Sequence, residues 1–267
     1  MIEGIKVFDL EQPRTADMPI HPAHQHAGYS YLLHRHHEDE YRPEEAGPRT
    51  GAAGILIFSE HTGTHIDALS HQSDALMLCG GVPVGEVQSS RGFTRHGVEE
   101  IPPIMSPGIL LDAAAAEGVE CLEPGHAVTA DDLERCCERQ GVGVELGSVV
   151  LVRTGNARHW DDAERYLDGP GMDASAAYWM ADRQVLAVGA DNMAWDVPGL
   201  KDPELGCYLP GHLILLSRHG IYIIENLQLD ELAAAGHHRF EFVCAPLKFV
   251  GATGSPVRPV AVVSADS

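Results

Sequence analysis

Residues 61–71 read HTGTHIDALSH, and this stretch constrains the fold more than any other. It places His61, His65, Asp67 and His71 within eleven positions. On an α-helix His61 and His65 share a face, but Asp67 falls on the opposite side. In an extended chain the odd-numbered positions share a face, yet residues 61–67 would span roughly 20 Å. Ligand atoms must lie about 2.0–2.2 Å from a common ion. The four side chains can therefore converge only if the chain curls between His61 and His65. Gly63 supplies the backbone freedom for that curl, and the hydroxyls of Thr62 and Thr64 can hold it. Two imidazoles and a carboxylate suit Zn²⁺, Mn²⁺ or Fe²⁺ and leave positions open for water or substrate, as in a catalytic site. His71 is left over as an acid or base, with an ordinary pKa of about 6.5. The competing reading is an inert, histidine-rich surface loop.

Bulk properties exclude several classes. The 267 residues suit one α/β domain with long loops. The net charge of −21, from 18 basic and 39 acidic residues, repels nucleic acid and anionic membranes. No run of about 18 apolar residues predicts a membrane span. The start, MIEGIKVFDLEQPR, lacks the basic and apolar regions of a signal peptide, so a cytoplasmic location is expected. Cys79, Cys121, Cys136, Cys137, Cys207 and Cys244 form no CxxC pair and are expected to be free thiols. Neither a P-loop, a GxGxxG nor a GxSxG motif is present, so nucleotide and serine-esterase chemistry lack support.

Along the chain, residues 1–50 read as a loop-rich arm that can pack on a partner subunit, with one short strand at Ile5–Phe8. HRHHEDEYRPEE (34–45) reads as a charged, solvated loop. GILIF (54–58) reads as a buried strand leading into the histidine motif. Thr129 is expected to cap a helix that Gly141 ends. Further strands are expected over 148–152, over 185–188 (broken by Gly189), over 221–224, 240–243 and 260–263. Helices are expected near 174–183 and 212–219, with Asp230 capping another. The alternation predicts an α/β fold in a single domain.

The motif resembles HxGTHxDxPxH of the cyclase family of metal-dependent hydrolases, which includes bacterial kynurenine formamidases and isatin hydrolases. Supporting stretches are the proline-containing segment after Asp9-Leu10, Val150–Gly155, Gly189-Ala190-Asp191 with Asp196 beyond it, and Gly254–Pro259. Leu69 departs from the pattern by standing where the motif has proline. The resemblance implies a swivelling β/β/α fold in a homodimer or homotetramer. It implies His61, His65 and Asp67 as metal ligands and His71 as catalytic acid or base. His212 and Glu225 would hold a second ion, with Asp67 bridging, so one or two Mn²⁺ or Zn²⁺ ions are expected per chain. Independently, His212 opens an apolar helix whose dipole favours its neutral form, and Glu225 ends an apolar strand where a lone carboxylate is unfavourable.

Asp191 and Trp195 are weaker candidates for substrate contacts, and His21, His24 and His26 are expected in an exposed loop. The expected activity is hydrolysis of a small amide or cyclic amide by metal-activated water. Lactone hydrolysis, polyketide-type cyclisation or dehydration, and metal binding without turnover are the alternatives.

Overall fold

The computed structural model describes residues 4–39 and 41–264. Met1–Glu3, which begin the stretch read for a leader, and Glu40 in the charged segment lie outside the described residues. One nine-stranded sheet organises the chain. In spatial order its strands are Ile5–Asp9, Val260–Ser264, Arg239–Cys244, Ile104–Asp112, Val149–Arg153, Ala187–Ala190, Tyr222–Glu225, His65–Asp67 and Gly254–Pro256. The four strands from Ile104–Asp112 to Tyr222–Glu225 are parallel, and antiparallel strands flank them on both sides. Parallel neighbours need crossovers, and helices Ala130–Gln140 and Ala174–Asp182 lie in two of them. Alternating side chains feed two cores. Val150, Val152 and Val188 pack under the helices, while Val149, Leu151 and Ile224 face a second cluster with Phe8 and Phe242. The result is a mixed α/β fold in which strands from both ends of the chain share one sheet.

Most expected elements form where their local signals lie. Thr129 and Asp132 make a reciprocal capping box, and Gly141 ends that helix with φ 63°. All six cysteines are free.

Three expectations need correction, and one strand carried no local signal. The longest strand, Ile104–Asp112, was hidden by its proline: Pro107 faces Glu241 on one side and precedes the pairing to Val149–Arg153, which starts at Gly108. Its missing N–H therefore breaks no ladder. Gly189 does not break its strand but sits inside Ala187–Ala190, where a Cβ would fall 2.7 Å from Leu151 and Leu227. Asp230 is the first residue of helix Asp230–Ala234 rather than its cap, and its carboxylate accepts a hydrogen bond from Arg153 at 2.7 Å.

The third lies beside the loop-rich N-terminal arm. There Tyr29–Arg35 pairs antiparallel with Ala53–Phe58 in a two-stranded hairpin, and Pro43–Ala46 forms a helical turn between them. The 53–58 strand exists but is not buried. Ile55, Leu56 and Ile57 are 45%, 56% and 57% exposed, because the hairpin stands apart from the main sheet and, among the described residues, Ala53–Phe58 has no strand partner but Tyr29–Arg35.

Candidate metal centre

The register of two strands assembles the centre. Glu225 lies directly opposite His65, and Ile224 opposite Ile66. Opposed residues share a face, and residues two apart along a strand share it too. His65, Asp67 and Glu225 thus project together, while Ile66 and Ile224 go into the core beneath.

The curl at Gly63 brings in His61. Gly63 has φ 67°, in the left-handed region that glycine adopts without strain. Arg14 clamps the curl by donating to the carbonyls of Thr62 and Thr64. The Thr64 hydroxyl donates to the Asn226 carbonyl at 2.6 Å and accepts from the Gln12 amide at 2.9 Å. Thr62 Oγ1 is buried without a hydrogen-bond partner, so Thr64 rather than Thr62 holds the curl. Gly254 faces Asp67, and a Cβ there would lie 2.6 Å from the His61 ring.

His212 arrives from the opposite side, at the end of the helical turn Pro210–His212. It leads into a wide-turned helix, Leu213–His219, which Gly220 ends. Such turns are frequent at functional sites. Three non-glycine residues beside the centre have left-handed backbones: Trp195 (φ 50°), Leu209 (φ 53°) and Asn226 (φ 58°). Strain of this kind, about 1–3 kcal/mol per residue, persists only where the surroundings enforce it.

Each of the three histidines has one nitrogen tied down and the other turned toward the carboxylates. His65 Nδ1 lies 2.8 Å from the Gly63 carbonyl, and its Nε2 lies 3.4 Å from Asp67 and 3.3 Å from Glu225. His212 Nδ1 lies 2.8 Å from Asp196, and its Nε2 lies 3.6 Å from Asp67 and 3.3 Å from Glu225. His61 Nε2 lies 2.8 Å from the Thr253 hydroxyl, and its Nδ1 lies 2.8 Å from Asp67. That last approach lacks hydrogen-bond geometry. His61 Nδ1, both Asp67 oxygens and Glu225 Oε1 are all buried without a hydrogen-bond partner.

Ligands about 2.0–2.2 Å from one ion stand roughly 2.8–3.6 Å from each other, between octahedral and tetrahedral angles. The observed spacings match that, and His61, His65 and Asp67 form one compact donor group. The donor set fits a divalent cation. Imidazoles anchored through the opposite nitrogen are the usual design around such ions. Asp67 directs Oδ1 toward His61 and His65 and Oδ2 toward His212.

The electrostatics agree. Burial opposes charge on His212, but its hydrogen bond to Asp196 and the charge of Glu225 outweigh it and carry its pKa well above the usual histidine value. The helix-dipole argument for a neutral His212 is thus outweighed by these carboxylates. Burial also opposes charge on His65, yet Asp67 and Glu225 raise its pKa. Burial would raise Asp67, but the surrounding histidines hold it well below the usual carboxylate range.

His71 stands next to this set, its ring centroid 4.0 Å from that of His61 and 5.9 Å from that of His212. Burial is the main cause that pushes its pKa well below the usual value, which leaves the ring neutral. The turn that carries it is closed by the His71 amide donating to the Ala68 carbonyl at 2.9 Å. Leu69 packs against the helix-side core, so backbone closure and packing hold the turn without proline.

His21 and His24 were expected in an exposed loop, but both line the cavity over the centre, and the His24 ring stacks on His61 at 4.8 Å. His26 is exposed. Asp191 and Trp195 are not among the residues lining that cavity. Asp191 is fully buried and accepts from the Thr154 amide and hydroxyl and the Gly155 amide at 2.7–2.8 Å, fixing the turn after Val149–Arg153. Trp195 is fully buried beneath Gly211, where a Cβ would lie 2.7 Å from its ring. Arg14, Asp196, Asn226 and Thr253 carried no local signal of their roles, because each acts on a residue distant in sequence.

Comparison with known proteins adds an independent line. A family model described as "Putative cyclase" matches residues 8–197. The chain is 27% identical over 258 residues to a kynurenine formamidase of Bacillus cereus (strain ZK / E33L), covering 95% of each chain. Among solved structures, it is similar to a crystal structure of a novel cyclase, with a TM-score of 0.84, 28% identity and coverage of 96% and 88%. It shares its fold with isatin hydrolase A from Ralstonia solanacearum, with a TM-score of 0.73, 24% identity and coverage of 97% and 92%.

Proposed function

The chain belongs to this cyclase family, and from that premise we propose that it is a metal-dependent amidohydrolase cleaving a C–N bond of a small amide or cyclic amide. The observation that carries the reading is the convergence of His61, His65, Asp67, His212 and Glu225, with buried oxygens and a ring nitrogen that no protein donor or acceptor satisfies. The named kynurenine formamidase and isatin hydrolase relatives support the choice of a C–N bond.

One or two Mn²⁺ or Zn²⁺ ions, when bound, would supply Lewis acidity toward a carbonyl and lower the pKa of water. His61, His65 and Asp67 are assigned as ligands of the first, with His212 and Glu225 added for a second. His71, neutral at the cavity wall, accepts a proton from the attacking water and returns it to the departing nitrogen. Asp196 keeps Nε2 of His212 pointed inward by holding Nδ1. Asp191 supports the site indirectly by fixing the 154–155 turn. The test is turnover of formanilide-type and cyclic amides after metal loading, with His71→Ala keeping its metal but losing turnover.

The reading extends to the whole chain as one domain working in the cytoplasm as a homodimer or homotetramer. No helix among the described residues is long and apolar enough to cross a membrane, and six free thiols suit a reducing compartment. The exposed Tyr31, Leu32, Ile55, Leu56 and Ile57 of the hairpin support a subunit interface. The hairpin is rooted beside the site, since Tyr29 packs with Met18, Trp160, Tyr166 and Met193. Light scattering of wild type and of Leu56→Asp checks the assembly.

A further inference from the structure

The cavity over the metal centre has a volume of about 170 Å³, below the roughly 300–1,000 Å³ of a typical small-molecule site. It accommodates a scissile amide and little more. A second cavity of about 430 Å³ adjoins it. The two share His21, Met193, Ala194 and Leu209 as wall residues.

The shared wall is firmly built. Met193 is buried against Met18, Trp160 and Tyr166. Leu209 is held at φ 53° immediately before Pro210 and so links the wall to the turn that carries His212. The outer cavity is completed by Pro22, Leu167, Pro198 and Tyr208. No lysine, arginine, aspartate or glutamate occurs among its described lining residues.

We propose that the two cavities form one substrate site, with the reacting amide over the metal centre and an uncharged, apolar body in the outer cavity. This rests on the hydrolase reading above and narrows its substrate class. An ionised group on the body would lose water and find no partner of opposite charge in that lining. A carboxylate would also meet the field of a chain with net charge −21. Shape and apolar contact, rather than ion pairing, select the substrate.

The experiment compares three anilides of similar size with the metal-loaded enzyme: 4-methylformanilide, 4-formamidobenzoate and 4-(aminomethyl)formanilide. All present the same bond and differ in the charge at the far end of the ring. The expected result is a kcat/KM for the methyl compound at least about tenfold above either charged one, equivalent to about 1.4 kcal/mol. Tyr208 is 62% exposed and lines only the outer cavity, so Tyr208→Arg should fold normally. That variant should improve 4-formamidobenzoate relative to the methyl compound by about tenfold. A charged anilide cleaved as well as the methyl compound, or no change of preference in Tyr208→Arg, overturns the proposal while leaving the hydrolase reading intact. Failure of all three compounds overturns this proposal, and failure of the cyclic amides as well overturns the hydrolase reading.

Discussion

The metal centre and the N-terminal hairpin both invert the usual distribution of residues, in opposite senses. At the centre, three histidines and two carboxylates are at most 5% exposed. On the hairpin, Leu32, Leu56 and Ile57 are 56–61% exposed. Buried ionisable groups and exposed apolar clusters are each unfavourable in an isolated chain. Each makes physical sense with a partner of matching chemistry: a cation for the first, another apolar protein surface for the second. The centre is held by long-range hydrogen bonds with Asn226, Thr253 and Asp196, whereas among the described residues the hairpin's strands pair only with each other.

A similar contrast separates two buried carboxylates. Asp191 has three protein donors, while neither oxygen of Asp67 has a hydrogen-bond partner. The first anchors a turn, and the second fits the role of metal ligand proposed above.

The largest effect is expected at the centre. His65→Ala should lower kcat/KM on a cleaved amide by roughly 10³-fold, the scale of lost transition-state charge stabilisation. Steady-state kinetics with added metal check it, and activity within tenfold of wild type would remove His65 from the ligand set.

Asp191 should behave as a structural group. Burial raises its pKa to about 6, against the opposing hydrogen bonds from Thr154. Between about pH 4 and 6 the folded chain keeps a proton that the unfolded chain, with a pKa of about 3.9, has released. This group's contribution to stability therefore falls as pH rises through that window and is constant above it, by up to about 3 kcal/mol. In Asp191→Asn that slope is absent. The Tm of wild type minus that of the variant should shrink from pH 4 to 6 and then level; a constant difference would contradict the assignment.

Asp196→Asn should weaken metal affinity by roughly 10–100-fold, since it disturbs the partner that orients His212. Competition with a calibrated chelator measures this, and unchanged affinity would leave His212 outside the metal set. The smallest effect is expected on the arm. Leu56→Asp should weaken self-association by about tenfold or more while leaving metal content unchanged. Sedimentation velocity and elemental analysis, read together, would break the comparison if one surface change disturbed both properties.

Legibility in the sequence followed the range of the interactions. His61, His65, Asp67 and His71 lie in one short stretch, and Gly63 between them marks the required curl. The helix at Ala130–Gln140 was legible from its caps alone. Ile104–Asp112 was not, because a proline in a central strand is permissible only where a neighbouring strand has not yet begun pairing. The exposure of Ile55–Ile57 was equally illegible, since an apolar run reads the same whether it faces a core or an interface. The roles of Asp196 and Thr253 depend on approaches across 16 and 192 positions, respectively, which local spacing cannot reveal.

The most direct test is elemental analysis of the protein purified without chelator, beside the double variant His61→Ala/His65→Ala. Wild type should carry one or two divalent ions per chain, and the folded variant should lose the first. A folded wild type that carries no ion, gains none on dialysis against Mn²⁺ or Zn²⁺, and still cleaves amides in excess chelator would contradict it.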